Sequence, residues 1–578
     1  MSVSNGVHPC LGPQVSEEHM NRLFPTASIC RGSTIRSVLA ALLVGISLLN
    51  VPVPSSAQEQ RRDASIPSFA ELENAGATIG EIRILNEDIF DLTDENENNW
   101  LFRLANTLHI QTKPGVIARE LLFKRGDKLS ARAIEETERL LRSHRYFYDV
   151  RLRPIAYHDG VVDIEVQTRD TWSLDPGISF SRSGGSNTSG FKLREYNFLG
   201  TGIGVGYSHS KNVDRSSNEF QFQYDRAIDG WTSLGLTLAN NSDGKRQAIS
   251  VVRPFYALDT RWAAGVSASR DDRIDAVYTA GAITSRYRRK QDISEVSGGW
   301  SDGLIDGRTQ RYSVGLLATD DSYRFEPGVV APPLLPRDQK ITAPFVRYEV
   351  IEEHYEKIRN RNQMGRPEFF ALGFASTVQL SRALGSLGSS DDLWLYSASI
   401  SKGFQPYQTH ELLLSAALNG QYDQGRVKRQ LLSATARYYL PLTPRFLFYA
   451  SVGADTLTNP NPLEQLNLGG DNGLRGYPLR YQNGDHRALA TLEARAFSDL
   501  YLFHLFRVGG AAFYDVGRAW GGVSGAKPEW LQNVGFGLRI FSVRAALGNV
   551  LHLDLAMPLN GDPGIKSLQF LVKTKTSF

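Results

Sequence analysis

The feature that most constrains the fold of this chain is an alternation of apolar and polar residues that recurs, segment after segment, from Trp172 to Phe578. Successive side chains of a β-strand point to opposite faces of a sheet, so each alternating segment predicts a strand. A soluble β-sandwich alternates as well. Here, however, charged residues take the polar positions of consecutive segments, as they would around a water-filled lumen. The pattern predicts a mostly β protein in which residues 171–578 form a transmembrane antiparallel β-barrel.

The alternation is clearest in the last segments of the chain. In residues 550–557 the outward, lipid-facing set is apolar and consists of Leu551, Leu553, Leu555 and Met557. His552 and Asp554 take the inward positions of the same segment. In the final segment Lys573 and Lys575 face inward, and the terminal Phe578 is expected on the apolar, lipid-facing side.

Composition excludes several other classes of protein. Lysine and arginine number 64 and aspartate and glutamate 61, so the net charge of +3 gives no electrostatic case for a nucleic-acid partner. An aromatic content of 10% argues against disorder over most of the chain. One apolar stretch, residues 37–53, cannot make a helical membrane protein of 578 residues. A mean hydropathy of only −0.28 fits a barrel, in which lipid-facing and lumen-facing residues offset one another.

Residues 1–57 have the pattern of a secretory signal region. Arg31 and Arg36 precede an apolar centre at residues 38–49, and small residues follow, so cleavage is expected after Ala57. A retained membrane anchor is the alternative, but the apolar centre is short for a span.

Two further features lie in the signal region. The first is Met20, which is an alternative start to Met1. Both cysteines, Cys10 and Cys30, precede the cleavage site, so the remaining 521 residues (578 − 57) contain none. A disulfide framework, a zinc knuckle and a cysteine nucleophile are therefore excluded from them.

Between the signal region and the barrel the sequence predicts one small domain. Residues 58–78 are polar and without period, which is typical of a linker, and residues 79–170 have the pattern of a mixed α+β domain. We expect a strand, a helix opened by Pro114, a second helix capped by Ser130, and a hairpin of two strands that turns at Asp159-Gly160.

The second helix of this domain is amphipathic. Its apolar side carries Ile134, Leu140 and Leu141, and its other side carries four charged residues, Arg132, Glu135, Glu136 and Arg139. Together with the run at residues 123–130, the helix end and following strand at residues 140–150 resemble a polypeptide-transport-associated (POTRA) domain. The resemblance implies a single periplasmic POTRA-like domain before an outer-membrane barrel.

Four strings in the barrel resemble motifs of the BamA, TamA and two-partner-secretion transporter superfamily, and they occur in that superfamily's order. They are an early periplasmic turn at Asn197–Gly202, an arginine-glycine-aromatic loop motif at Leu474–Tyr477, an F-x-D-x-G strand at Phe513–Gly517 and a G-x-G-x-R strand at Gly535–Arg539. The resemblance implies sixteen strands, whereas the alternating segments number about twenty, so the predicted range is sixteen to twenty. It also implies that the connection at residues 454–488 folds into the lumen.

Alternation places Glu493 and Asp515 inside the barrel, where Arg475 of the infolded connection could reach both. In a wet lumen the ion pair between Arg475 and Asp515 is expected to contribute on the order of 1–2 kcal/mol to stability. Gly476 is expected to allow a backbone turn that a Cβ would obstruct. The predicted loop gate and lumen anchor comprises Leu474, Arg475, Gly476, Tyr477, Glu493, Phe513, Asp515, Gly517, Gly535, Gly537 and Arg539.

These resemblances imply an outer-membrane insertase or polypeptide translocator. The POTRA-like domain would capture unfolded polypeptide clients in the periplasm by adding a client strand to its sheet edge, and the loop-gated barrel would insert them or pass them through. The terminal Phe578 resembles the assembly signal of outer-membrane barrels. The expected partners are outer-membrane lipid and the clients, with accessory periplasmic or inner-membrane proteins left open.

Two other functions are weaker alternatives. A porin-like solute channel has no use for a periplasmic capture domain. An outer-membrane enzyme would use Ser301 of Gly299–Gly303, which fits G-x-S-x-G, but a nucleophile elbow requires a helix after the serine and a turn follows instead. The eleven histidines have no metal-binding spacing, so the sequence predicts no enzyme activity, metal or cofactor.

Overall fold

The computed structural model describes residues 66–407, 409–503, 505–522, 529–542, 550–575 and Phe578. The expected signal region, with Cys10 and Cys30, lies outside the described residues. Within them the chain forms a small α+β domain followed by a closed barrel of twenty strands. No helix in the described ranges is long and apolar enough to cross a membrane.

The N-terminal domain is a three-stranded sheet with short helices. Its helices are α1 (Phe69–Asn74), α2 (Trp100–Leu108), α3 (Pro114–Ala118) and α4 (Ala131–Ser143). Its strands are β1 (Thr78–Glu87), β2 (Phe147–His158) and β3 (Val161–Asp170). The sheet order is β1-β3-β2, with β1 parallel and β2 antiparallel to β3, so β2 is an edge strand.

Helix α4 covers one face of this sheet. The Ser130 side chain accepts a hydrogen bond from the Ala133 amide, which satisfies one of the free N–H groups at the helix start. Ile134 and Leu141 are buried in the domain core with the apolar side chains of β3, among them Ile164. The predicted order of a strand, helices and a hairpin is therefore present.

Two helices were not expected. Helix α1 lies within residues 58–78, the segment predicted to be a linker, and its Leu72 is fully buried in the domain core. A six-residue helix is too short to show a helical period, which explains why the sequence does not reveal it. Helix α2 follows the acidic run that ends at Asn99, whose side chain caps it. Helix α3 begins at Pro114, as expected, and ends at Ala118.

The barrel wall is antiparallel throughout. Its strands are β4 (Leu174–Ser183), β5 (Ser186–Phe198), β6 (Ile203–Lys211), β7 (Ser216–Tyr224), β8 (Ser233–Asn241), β9 (Gly244–Arg253), β10 (Trp262–Thr279), β11 (Ala282–Ile305), β12 (Arg308–Phe325), β13 (Gln339–Glu352), β16 (Ala375–Ala383), β17 (Leu393–Phe404), β18 (Glu411–Asp423), β19 (Arg426–Thr443), β20 (Phe446–Thr458), β23 (His486–Leu502), β24 (Phe506–Trp520), β25 (Leu531–Ser542), β26 (Val550–Pro558) and β27 (Gln569–Lys575).

Two short ribbons lie between wall strands, β14 (Tyr355–Arg359) with β15 (Pro367–Ala371) and β21 (Leu466–Leu468) with β22 (Gln482–Gly484). Twenty wall strands is the upper end of the predicted range. The sixteen implied by the resemblance is wrong for this chain, because twenty strands are hydrogen-bonded into the closed wall and the two ribbons are additional to them.

The two faces of the wall differ as the alternation predicted. On β25, Phe536 is 64% exposed on the outer face, whereas Arg539 is fully buried on the inner face. Toward one end of the wall the outer face carries stacked aromatic rings, with Tyr312 between Trp300 and Tyr348 at centroid distances of 5.7 and 5.1 Å. An apolar outer surface beside an aromatic belt is typical of a barrel in a lipid bilayer.

The ring closes at a weak seam between β27 and β4. Among the described residues these strands share one backbone pair, Val572 with Arg182. By contrast, β26 and β27 are paired from Val550↔Lys575 to Ala556↔Gln569. The barrel is therefore continuous, but its closing junction has far less backbone hydrogen bonding than the junction beside it.

The N-terminal domain lies against the turns at one end of the barrel, called here the domain end. The charged face of α4 makes this contact. Arg132 pairs with Asp259, and Glu136 accepts a 2.8 Å hydrogen bond from the amide of Leu258. The charged residues that an amphipathic helix usually gives to solvent instead form the junction with the barrel.

A second ion pair joins domain and barrel through a buried carboxylate. Glu120, which is fully buried, pairs with Arg226 of the β7–β8 turn, whose Nε lies 2.6 Å from Glu120 Oε1. His144 lies 3.1 Å away on the domain side. Burial alone would raise the pKa of Glu120, but the two basic neighbours lower it to about 2.

The connection between β13 and β16, residues 353–374, folds back into the barrel from the domain end and is called here the plug hairpin. Arg361 pairs with Glu411 of the wall at 2.7 and 2.8 Å. On its other side, Arg366 Nη2 donates a 2.7 Å hydrogen bond to the carbonyl of Tyr148 in β2. The plug hairpin therefore joins the lumen wall to the N-terminal domain.

The terminal Phe578 is not on the lipid-facing side, so that expectation is wrong. It is 4% exposed, its amide donates to the carbonyl of Asn362 in the plug hairpin, and its ring lies 4.9 Å from that of Phe497 on the inner wall. Strand β27 ends at Lys575, so the period of two does not apply to a residue beyond it. Its role as an assembly signal stays a prediction.

We expect acidification to undock the N-terminal domain. The Glu120 carboxylate, ordinarily near pKa 4.5, favours docking at pH values above 4.5, and this contribution is lost as the pH falls toward 2. Spin labels at His158→Cys and Asp306→Cys should give one narrow distance distribution at pH 7 that broadens below pH 4.5. Glu120→Gln should broaden it at pH 7. Equal widths for both chains across this range would contradict the role of Glu120.

Candidate functional site

The connection between β20 and β23, residues 459–485, folds into the barrel from the end opposite the domain and is called here the infolded loop. It is shorter than the expected 454–488 because both flanking strands run further. The β21–β22 ribbon braces it. Leu474 and Tyr477 are fully buried in a cluster with Leu468, Ala519 and Leu531, so the loop packs against the inner wall.

The centre of the site is the guanidinium of Arg475. Its Nε and Nη2 donate to the two oxygens of Asp515 at 2.8 and 2.6 Å, and its Nη1 donates to Glu493 at 2.8 Å. The guanidinium carbon lies 3.4 Å from the centroid of the Phe513 ring. The planar cation is thus held from its edges by two carboxylates and from one face by an aromatic ring.

Each carboxylate has further donors that the sequence did not predict. Asp515 also accepts from Thr491 Oγ1 at 2.9 Å and from Asn533 Nδ2 at 2.8 Å. Glu493 accepts from Arg495 Nε at 2.9 Å. Thr491 and Asn533 are the register partners of Asp515 on β23 and β25, so alternation combined with strand pairing could have found them.

The environment of Arg475 differs from the wet lumen that was expected. The exposed fraction of its side chain is 8%, and that of Asp515 is 0%. A buried pair is a larger constraint than a solvated one, because removal of one partner leaves an uncompensated charge at a cost of about 3–5 kcal/mol.

Glycines make room for this arrangement. A Cβ on Gly476 would lie 2.7 Å from the Asn533 Cβ, so the constraint there is space and not an unusual backbone angle. A Cβ on Gly535 would meet the ring of Phe513, and one on Gly537 would meet the Asp554 carboxylate. Close packing therefore explains why these positions lack side chains.

Arg539 belongs to a neighbouring ion pair. Its Nη1 donates to Asp554, whose other oxygen lies 3.9 Å from Arg475 Nη1. Gly517 is at the edge of the site, where a Cβ would lie 3.1 Å from Leu468 of the infolded loop. The predicted residues thus form a cluster around Arg475, with Phe578 apart from it beside the plug hairpin.

The hydroxyl of Tyr477 fastens the loop to strand β25 and to the connection between β26 and β27. It lies 2.7 Å from the carbonyl oxygen of Asn560 in the β26–β27 turn, and it accepts a 3.0 Å hydrogen bond from the amide of Gln532. Further along the loop, Arg480 pairs with Asp214 of the β6–β7 turn at 2.8 Å. The loop therefore bridges wall segments that are far apart around the ring.

The infolded loop also contacts both strands of the seam. The carbonyl oxygen of Gly470 accepts hydrogen bonds from Ser183 Oγ on β4 and, at 2.8 Å, from Lys573 Nζ on β27. One main-chain oxygen of the loop therefore binds both strands of the seam, which share one backbone pair among their described residues.

The serine of the G-x-S-x-G string lies in a strand. Strand β11 continues past Ser301 to Ile305 and turns directly into β12. The Ser301 hydroxyl accepts a hydrogen bond from the amide of Gly303. This is not the strand–turn–helix geometry of a nucleophile elbow.

We expect Arg475→Ala to release the infolded loop from the inner wall of the barrel. The substitution leaves Asp515 and Glu493 buried without their shared cation, at a cost of about 3–5 kcal/mol. Proteolysis within the loop should accelerate on the order of a hundredfold in detergent, since cleavage follows the population of the open form. The double variant Arg475→Ala with Asp515→Asn should lose less of the free energy that holds the loop than the two single variants lose together. Strict additivity of the two losses would contradict the pairing.

We expect Gly476→Ala to weaken the same seat without removing a charge. The new Cβ forces Asn533 away, and the amide that donates to Asp515 moves with it. Gly564→Ala is the matched control, because nothing lies within 4 Å of its Cβ position. Loop proteolysis should accelerate in the first variant and not in the second. Equal rates in both would show that space at Gly476 is not the constraint.

Comparisons with known proteins give similarity to solved structures alone. No family model and no curated protein sequence matches the chain. CdiB from Escherichia coli is similar with a TM-score of 0.45 at 13% identity, over 94% of this chain and 98% of that chain. CdiB from Acinetobacter baumannii gives 0.40 at 12%, over 94% and 97%. BamA from Haemophilus ducreyi lacking POTRA domains 1–3 gives 0.38 at 13%, over 87% and 85%.

Proposed function

We propose that this chain is an outer-membrane insertase or polypeptide translocator of the BamA, TamA and two-partner-secretion transporter superfamily. The observation that carries the proposal is the seam, at which the described residues of β27 and β4 share the single pair Val572↔Arg182. A barrel that only conducts solutes gains nothing from a weak junction. A barrel that releases or threads a polypeptide requires a junction that can open or lumen contents that can move.

The infolded loop is the proposed gate. Arg475 seats it on the inner wall, and Gly470 ties it to Ser183 and Lys573 on the two sides of the seam. Movement of the loop therefore removes hydrogen bonds from both seam strands together. The residues proposed to control this gate are those of the Arg475 cluster.

The contents of the lumen argue against the porin alternative. The infolded loop enters from one end and the plug hairpin from the other, and the two are joined through the inner wall. Arg495 donates to Glu493 below Arg475 and, at 3.0 Å, to the carbonyl of Arg361 in the plug hairpin. Both insertions are fixed by buried ion pairs, which is unsuited to an open solute channel.

The N-terminal domain, as a POTRA-like periplasmic domain, is the proposed site of client capture. Strand β2 has β3 on one side and lies at the edge of the sheet. An extended client could add to this edge through main-chain hydrogen bonds. The plug hairpin touches the same strand through Arg366 and Tyr148, which gives the captured client a physical connection to the lumen.

We expect a disulfide across the seam to stop client handling. Val572→Cys with Arg182→Cys joins register partners, whose spacing suits a disulfide. Cells that depend on this variant should lose client assembly under oxidising conditions and recover it on reduction. The matched control is Phe536→Cys with Leu555→Cys, register partners between β25 and β26. Undiminished client assembly with the seam locked would contradict release at the seam.

We expect clients to be crosslinked from the β2 edge. A photo-crosslinking residue at Arg153, which is exposed on β2, should trap unfolded polypeptides in living cells, and mass spectrometry would identify them. The same residue at Arg83, exposed on the opposite edge strand β1, is the control. Equal trapping from both edges would contradict capture by β2.

A further inference from the structure

Helix α2 holds an apolar face away from the domain. Trp100 is 71% exposed, Leu104 44% and Leu108 63%. At 100° per residue these three side chains and that of Leu101 fall within an arc of about 100°, which is one stripe of the helix. Three large exposed apolar residues in one stripe indicate a surface that meets something other than water.

The opposite face of α2 fixes the helix in position. The ring of Phe102 stacks on that of Phe90 at a centroid distance of 3.9 Å. The Asn106 side chain accepts from the amide of Phe90 and donates to its carbonyl, at 3.1 and 2.8 Å. These contacts fix the orientation of the helix, so the exposed stripe cannot turn inward without breaking them.

The inner side of α2 also packs against the barrel rim. Trp172, just before β4, and Leu505, in the β23–β24 turn, join the cluster of Phe90 and Phe102. Phe503 of the same turn is 79% exposed. Helix α2 is therefore fixed at the domain end of the barrel, where other apolar side chains are also exposed.

The chain beyond α2 reaches the β5–β6 turn. The amide of Lys113 donates a 2.9 Å hydrogen bond to the carbonyl of Gly200, and the neighbouring Phe198 and Leu199 are half exposed. Residues 100–113 therefore run along the rim from the β23–β24 turn to the β5–β6 turn. Trp172, on which α2 packs, lies just before β4, one of the two strands of the seam.

We infer that α2 is an interfacial helix that inserts Trp100, Leu104 and Leu108 into the phospholipid leaflet at the domain end of the barrel, beside the seam. An apolar stripe level with the rim of a lipid-facing wall meets the headgroup–acyl boundary, where tryptophan is favoured. Arg103, exposed on a different side of the helix, is suited to the headgroups. The inference uses the membrane insertion of the barrel and goes beyond its transport function.

The position of the stripe favours lipid over a protein partner. Helix α2 packs on Trp172 and Leu505 at the barrel rim, and Phe503, Phe198 and Leu199 leave further apolar surface exposed at the same end of the wall. A protein bound there would have to displace the leaflet that surrounds the barrel.

The test is lipid quenching of a fluorophore on α2 in the full chain, reconstituted in phosphatidylethanolamine–phosphatidylglycerol nanodiscs. Cys10 and Cys30 are replaced by Ser, and an environment-sensitive dye is attached at Leu104→Cys. Nitroxides on the lipid headgroup or upper acyl chain should quench the dye. Its emission should also be blue-shifted relative to the same dye attached at a position that faces water.

Two controls separate this inference from the proposed function. The same dye at Phe536→Cys, on the outer face of β25, must be quenched if the barrel is inserted at all. At His158→Cys, in the β2–β3 hairpin, it should not be quenched. Quenching at position 536 without quenching at 104 overturns the inference while leaving membrane insertion intact. A blue shift of the dye at position 104 that depends on protein concentration, without quenching by nitroxide lipids, would identify a second copy of the chain as the occupant. That result would also overturn the inference.

A paired substitution tests the surface itself. Leu104→Glu with Leu108→Glu should abolish quenching of a dye at Trp100→Cys, because two carboxylates oppose insertion of the stripe. Retained quenching in the double glutamate variant would contradict insertion of this face.

Discussion

The buried guanidinium of Arg475 is the interaction on which the arrangement inside the barrel depends. Two carboxylates from adjacent strands and one aromatic ring surround it, and each carboxylate has donors of its own. Such a charge is tolerable in a buried site only while every partner is in place. The glycines of β25 and the loop follow from this requirement, because side chains at those positions would occupy the space of the ion pairs. A lysine could supply the charge but not the bidentate geometry.

From this cation a series of hydrogen bonds extends to the N-terminal domain. Glu493 joins Arg475 to Arg495, Arg495 holds the carbonyl of Arg361, and Arg366 of the same hairpin holds the carbonyl of Tyr148. The sheet edge proposed to receive clients and the loop proposed to gate the barrel are thus linked by contiguous contacts. Physical continuity makes coupling feasible, and only the energetics of variants along the series would measure it.

The sequence allowed much of this to be predicted, wherever a regular period held. Alternation put Glu493, Phe513 and Asp515 on the inner face, and the chain folds that way. The plug hairpin was not predicted, because its short strands interrupt the period between β13 and β16 and its partners are distant in sequence. Phe578 was misassigned since it lies beyond the last strand. The charged face of α4 gave no sign that barrel turns, and not water, would meet it.

The shared carbonyl of Gly470 has a consequence for how the barrel stays closed. Because one oxygen binds Ser183 on β4 and Lys573 on β27, neither strand can part from the other without also giving up its bond to the loop. Separation of the seam is thereby opposed by the buried contacts of the loop as well as by the pairing of the strands themselves. The loop thus acts as an internal strap across a junction at which the described residues contribute one backbone pair.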